Sequence, residues 1–175
     1  MATKINDIDE IKRIAEKAAR SAGEILKEGL TRDFGISYKG PVNLVTEIDM
    51  ASEDLIVNII KERFPDHLIL AEEGHRDKEG SRYKWIIDPL DGTTNYAHRF
   101  PFFCVSIGFE VDGEILFGIV YDPLRDEAFS AERGKGAFLN KKAISVSKIS
   151  SLSKSLLVTG FAYDVREAAR NNFDH

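Results

Sequence analysis

Trp85-Ile86-Ile87-Asp88-Pro89-Leu90-Asp91-Gly92-Thr93-Thr94-Asn95 is the stretch on which the fold turns. Its leading residues, with Lys84, are a short apolar run ending in an acid, which predicts a buried strand. His67-Leu68-Ile69-Leu70-Ala71 has the same form and ends in Glu72-Glu73, so two buried strands would deliver acids at their ends. After Asp91, Gly92 permits backbone angles closed to other residues and a close approach by a ligand.

Working outward, the chain before these strands is helical. Ile8, Ile11, Ala15, Ala18, Ala22, Ile25 and Leu26 recur at helical spacing, Asn6 or Asp7 can cap the start, and Gly29 can stop it. An irregular stretch from Thr31 to Val45 carries the breakers Gly35, Gly40 and Pro41. A second helix is predicted from about Asp49 to Phe64, burying Leu55, Ile56, Ile59 and Ile60, with Pro65-Asp66 ending it. Gly74 to Arg82 is polar and predicts a mobile surface loop.

Beyond Asn95, Phe103–Val111 and Glu114–Tyr121 predict a hairpin closed by Asp112-Gly113. Asp126–Ala131 and Gly136–Leu139 extend the meander, Leu156–Thr159 predicts one more strand, and Asp164 opens a polar, helix-like tail. Helices followed by a mainly antiparallel sheet predict a layered α+β fold.

The chain has 175 residues, 43% of them apolar and 30% charged, which is enough for a real core. No apolar run is long enough to span a bilayer, and the start of the chain has no apolar signal region. The one cysteine, Cys104, excludes an internal disulfide and is expected in the core. These features predict a cytoplasmic protein. A net charge of −5 argues against a general nucleic-acid binder.

Carboxylates converging at strand ends repel one another unless a cation lies between them. Oxygen ligands suit a hard ion such as Mg²⁺, and the four scattered histidines do not suggest zinc. Singly, Glu72-Glu73 reads as a solvated loop and Asp91-Gly92 as a tight turn. Together, two acids, a glycine and two hydroxyls fall in one turn. A short helix opening at Gly92-Thr93-Thr94 would present N–H groups to an anion beside those acids. That is what metal-assisted phosphoryl hydrolysis requires. Two residues also have plainer uses: Asp49 could cap the second helix, and Thr93 could cap the short one.

Glu72-Glu73 followed by Trp85–Tyr96 closely resembles the inositol monophosphatase family. Leu44-Val45-Thr46-Glu47-Ile48-Asp49, Arg99-Phe100-Pro101 and Gly134-Lys135-Gly136-Ala137-Phe138 continue the likeness over nearly the whole chain. The resemblance implies a magnesium-dependent phosphatase acting on a small phosphate monoester, with inositol monophosphate as the first candidate. The alternatives are a phosphatase of the same superfamily acting on fructose 1,6-bisphosphate or a nucleotide phosphate, a catalytically incomplete fragment that turns over slowly if at all, or a non-catalytic binding module.

It also implies roles. Glu72, Asp88, Asp91 and the Leu90 carbonyl would hold two or three Mg²⁺ ions. Thr93, with Asp49 and Glu72, would place the attacking water. Asp91, Gly92, Thr93 and Thr94 would hold the substrate, the Gly92 and Thr94 N–H groups meeting its phosphate. Glu73 is implied as an acid near the metals, and Lys39 as a lysine behind the acidic cluster, although a plain surface lysine is equally consistent there. A further aspartate ligand from a Trp-Asp segment downstream has no match here. Residues 1–155 are therefore expected to form the N-terminal metal-binding domain and 156–175 the start of a truncated α/β part. Uncovered apolar sheet surface and, in the full-length protein, a homodimer are expected too.

Overall fold

The structure is a computed structural model that describes residues 8–32, 36–38, 44–78 and 80–158. Helix α1 spans Ile8–Gly29 and helix α2 Glu47–Arg63. On α1 the buried positions Ile11, Ile14, Ala15, Ala18, Ala19, Ala22 and Leu26 form one stripe. Between the helices, β1 (Ile36–Tyr38) and β2 (Leu44–Thr46) pair antiparallel, where the sequence predicted only irregular chain.

A seven-stranded sheet follows, in the order β3-β4-β5-β6-β7-β8-β9. Its strands are β3 (Leu68–Ala71), β4 (Tyr83–Asp91), β5 (Cys104–Val111), β6 (Glu114–Asp122), β7 (Glu127–Glu132), β8 (Gly136–Leu139) and β9 (Lys142–Ile144). Only β3 and β4 are parallel. The short helix α3 (Thr93–Ala97) connects β4 to β5. The fold is thus α+β with a mainly antiparallel sheet. The β5–β6 hairpin turns at Asp112 (φ 52) and Gly113 (φ 84), the two positive angles that the tightest hairpin turn demands.

Both helices lie on one face of the sheet: α1 packs on α2 and over β5 and β6, and α2 packs over β4. Trp85, Ile87, Val105, Ile107, Phe109, Ile119 and Tyr121 point into that layer and are almost fully buried. The opposite face carries Val120, Phe129 and Ile144, each about 40% exposed, on a shallow apolar depression. Among the described residues nothing covers that face.

Several expectations shift. Strand β4 does not stop at Asp88 but runs on through Pro89 and Leu90 to Asp91. The predicted strand at Leu156 is absent through Val158, whose neighbourhood is exposed and irregular; Thr159 and the tail from Asp164 lie outside the described residues, as do Asn6 and Asp7. The polar loop after Gly74 is tied down where Asp77 accepts from Lys61 Nζ (2.7 Å) and the Ile69 N–H (2.9 Å).

Candidate active site

Parallel pairing sets the ends of β3 and β4 side by side. Ala71 is opposite Ile87, and the Glu72 N–H donates to the Ile87 carbonyl at 3.1 Å. Glu72 and Asp88 are therefore neighbours at adjacent strand ends. On a regular strand Asp88 and Asp91, an odd number apart, would face opposite ways. Here Asp88 lies opposite Ser106 and Asp91 opposite Cys104, so three steps along β4 answer two along β5. That extra residue is a β-bulge, and it turns both aspartates to the same face.

The result is a crowded set of acids. Asp88 is pushed up from 3.8 to about 7, first by burial, then by the negative charges of Glu72 and Asp91, and also by a hydrogen bond with Glu72. The Leu90 N–H, donating to Asp88 Oδ1 at 3.2 Å, opposes the rise. Among the described residues no three His, Cys, Asp or Glu side chains are already gathered to hold a metal ion. Asp88 and Glu72 are the close pair, while Glu72 and Asp91 are exposed to solvent. An all-oxygen donor set with uncompensated negative charge fits a hard divalent cation, which would take the place of the proton on Asp88.

Beyond the bulge, Gly92 adopts φ 97 and precedes α3. A Cβ there would lie 3.1 Å from the Phe102 carbonyl, so glycine is required by both angle and space. Thr94 is exposed in the first turn of α3. Thr93 is the first residue of the helix, not its cap. Its buried hydroxyl lies 3.1 Å from Asp49 Oδ1 and 3.1 Å from the Leu90 carbonyl. Leu90 keeps its side chain in the core and only its main chain at the site. Two further bonds seat α3: Tyr96 Oη donates to the Leu26 carbonyl (2.7 Å) and Asn95 Nδ2 to the Phe102 carbonyl (2.8 Å). Tyr96 is raised to about 12, by burial and then by the negative charge of Asp49.

Helix α2 supplies the support. Asp49 is fully buried and sits inside the first turn, since the helix begins at Glu47; it does not cap the helix. Ser52, also buried, donates to the Pro89 carbonyl at 3.1 Å. Glu53 accepts the main-chain N–H of Glu73 (2.6 Å) and of His75 (2.9 Å). Ser52, Glu53 and His75 were not singled out in the sequence. Polar residues on the buried face of an otherwise apolar helix were the available signal. Glu73 is half-buried with its amide held in this way, and Lys39 lies outside the described residues. Cys104 is not a core residue: it is half-buried at the site's edge, its thiol 3.7 Å from Asp91 Oδ2 and pushed up to about 12 by burial and by Asp91.

With this geometry in place, comparison with known proteins is decisive. The model of the inositol monophosphatase family matches residues 7–174. The chain belongs to the inositol monophosphatase family. It is 46% identical over 157 residues to inositol monophosphatase 3 of Solanum lycopersicum, covering 87% of this chain and 58% of that protein. Inositol-1-monophosphatase of Synechocystis sp. is 45% identical over 170 residues, covering 96% of this chain and 59% of that one. The solved structure of inositol monophosphatase from Anabaena (Nostoc) sp. matches with a TM-score of 0.82 and 47% identity, covering 95% of this chain and 61% of that structure. The chain thus spans about three-fifths of the length of these inositol monophosphatases. Among the described residues, no helix is long and apolar enough to cross a membrane.

Proposed function

We propose that the protein built on this chain hydrolyses a small anionic phosphate monoester in a Mg²⁺-dependent reaction, with inositol monophosphate as its first substrate. The observation that carries this is the Thr93 hydroxyl, held in a buried position 3.1 Å from both Asp49 and the Leu90 carbonyl, two residues beyond Asp91, whose charge, with that of Glu72, bears on Asp88.

A threonine has one hydroxyl hydrogen, and Asp49 and the Leu90 carbonyl compete for it at equal distance. When Asp49 takes it, a Thr93 lone pair is left to accept from an attacking water, and the Leu90 carbonyl is left with its lone pairs for a cation. Asp49 thereby orients the hydroxyl and, through it, the water. Glu72, Asp88, Asp91 and the Leu90 carbonyl would hold Mg²⁺, which when bound lowers the pKa of water and offsets negative charge on the phosphate. Gly92 and Thr94 at the start of α3 would hold the phosphate oxygens by their N–H groups. The exposed Glu72 would help to orient the water, and Glu73 would add negative charge nearby.

The test is phosphate release from inositol 1-phosphate, fructose 1,6-bisphosphate and adenosine 2′-monophosphate, with and without Mg²⁺, for the wild type and Asp91→Asn. Mg²⁺-dependent release that is strongest on inositol 1-phosphate and lost in Asp91→Asn is expected. Undiminished activity in Asp91→Asn would refute the ligand assignment, and preference for another ester would move the substrate within the superfamily. No turnover of any ester, with Mg²⁺ still bound, would favour a binding module.

A further inference from the structure

Glu53 is 2% exposed, and no lysine or arginine pairs with it among the described residues. Burying a carboxylate in that way is costly unless its oxygens are fully used. They are used on one short loop. Oε2 accepts the Glu73 N–H at 2.6 Å, Oε1 accepts the His75 N–H at 2.9 Å, and His75 Nδ1 lies 2.9 Å from the same Oε1. The loop closes on itself where the Ala71 N–H donates to the His75 carbonyl at 2.8 Å. Glu72 is the residue between these anchors. Its own N–H is bonded to β4 and that of the next residue to α2.

We propose that Glu53 is a positioning residue for the metal-binding site: its carboxylate clamps the amides of Glu73 and His75 and so fixes the backbone from which Glu72 reaches Asp88. The proposal rests on the Mg²⁺-dependent reading above. Glu72 is exposed, and its side chain alone has many rotamers. Fixing the main chain on both sides removes the larger uncertainty, the direction in which that side chain leaves the loop. Charge-assisted bonds from two backbone amides are strong and directional enough for the task. Ser52 and Asp49 act from the same face of α2, on Pro89 and Thr93. One helix face therefore holds three segments of the site, and Glu53 holds the one that bears Glu72.

The experiment measures binding of Mn²⁺, a paramagnetic substitute for Mg²⁺, to the full chain by electron paramagnetic resonance, with melting temperature recorded in parallel. Glu53→Gln keeps the shape but turns an NH₂ group toward one of the two amides. It should weaken Mn²⁺ binding about tenfold, as loss of a group that orients a ligand does. Asp54→Asn removes a neighbouring, exposed charge that meets only the His75 ring (Oδ1 3.9 Å from Nε2) and neither clamped amide, and it should bind as wild type does. His75→Ala keeps both backbone donors and should also bind as wild type. Glu53→Gln binding equal to wild type would overturn the proposal, as would equal weakening in Glu53→Gln and Asp54→Asn, which would mean a general charge effect. Should Glu53→Gln not fold, hydrogen exchange at the Glu73 and His75 amides of the wild type decides: slowing on addition of Mg²⁺ supports the clamp, and no change overturns it. A wild type that binds no Mn²⁺ removes the metal reading itself, and the clamp with it.

Discussion

Replacing Asp88 by asparagine should stabilise the metal-free chain at alkaline pH while it disables the site. Asp88 sits among like charges, and its folded pKa is raised from 3.8 to about 7. The sign follows from linkage. Below 3.8 the carboxyl is protonated in both folded and unfolded chains, and its contribution is fully present. As pH rises toward 7 the unfolded chain gives up the proton while the folded chain keeps it, and stability is lost. The gap of roughly three corresponds to about 4 kcal/mol at 1.36 kcal/mol per pKa unit. Asp88 is only partly buried, and solvent screening reduces this to about 1–2 kcal/mol. Asparagine carries no charge, can still accept the Leu90 N–H, and can donate to Glu72. Guanidinium unfolding in EDTA at a series of pH values is the assay. Asp88→Asn should exceed the wild type by about 1–2 kcal/mol at pH 8.5, with the advantage fading as pH falls below about 4. Saturating Mg²⁺ should recover the difference in the wild type and leave the variant unmoved. A variant no more stable than wild type at pH 8.5, or an advantage that ignores pH, would refute the crowding argument.

Thr93→Val should lower phosphate release by about 100-fold or more with little change in KM, because it removes the group that orients the water but no phosphate contact. Thr93→Ser should retain most of the rate, and a valine variant as fast as serine would dismiss the hydroxyl. At the far end of β4, His67 is held neutral to about pH 4, by burial first and then by nearby Lys61 working against Asp66. Its Nδ1 accepts the Trp85 indole N–H at 3.1 Å, and its ring stacks on Phe64 and lies near Tyr83. The unfolded chain protonates this residue near 6.5, so wild-type stability should fall between pH 6.5 and 4, by about 1–2 kcal/mol after allowance for partial exposure. His67→Asn, compared by denaturant unfolding across that range, should lose this component, and identical pH profiles would count against it.

The helices and the central hairpin were legible because their signals are local. The stripe on α1 ends at Gly29 as its spacing predicts, and Asp112-Gly113 closes β5 to β6. Elements that depend on distant partners were not. Strand β9 follows a turn at Asn140 (φ 47) and Lys141 (φ 69), where Asn140 alone is a usual turn residue and Lys141 stands where glycine is the common choice, so the signal is weak. Leu156 to Val158 has the composition of a strand, yet has no neighbouring strand to pair with among the described residues.

The site shows the same division at finer scale. The motif suggested Glu72, Asp88, Asp91 and Thr93 as one set, but the bulge that turns Asp88 and Asp91 to one face was written only as Pro89, a residue that interrupts the sheet ladder. An alternating strand would have sent Asp91 to the other face, so the proline is part of the site's construction. Helix α2 carries a second message of this kind. Ile48, Ile56, Ile59 and Ile60 mark its buried face, and Asp49, Ser52 and Glu53 lie on that same face. Three polar groups on a core-facing surface are expensive unless each meets a partner. Each of them does, and each partner belongs to a different segment of the site. The cost of burying them is offset only when β4, α3 and the loop after β3 are in place together, so folding of this layer and assembly of the site are one event.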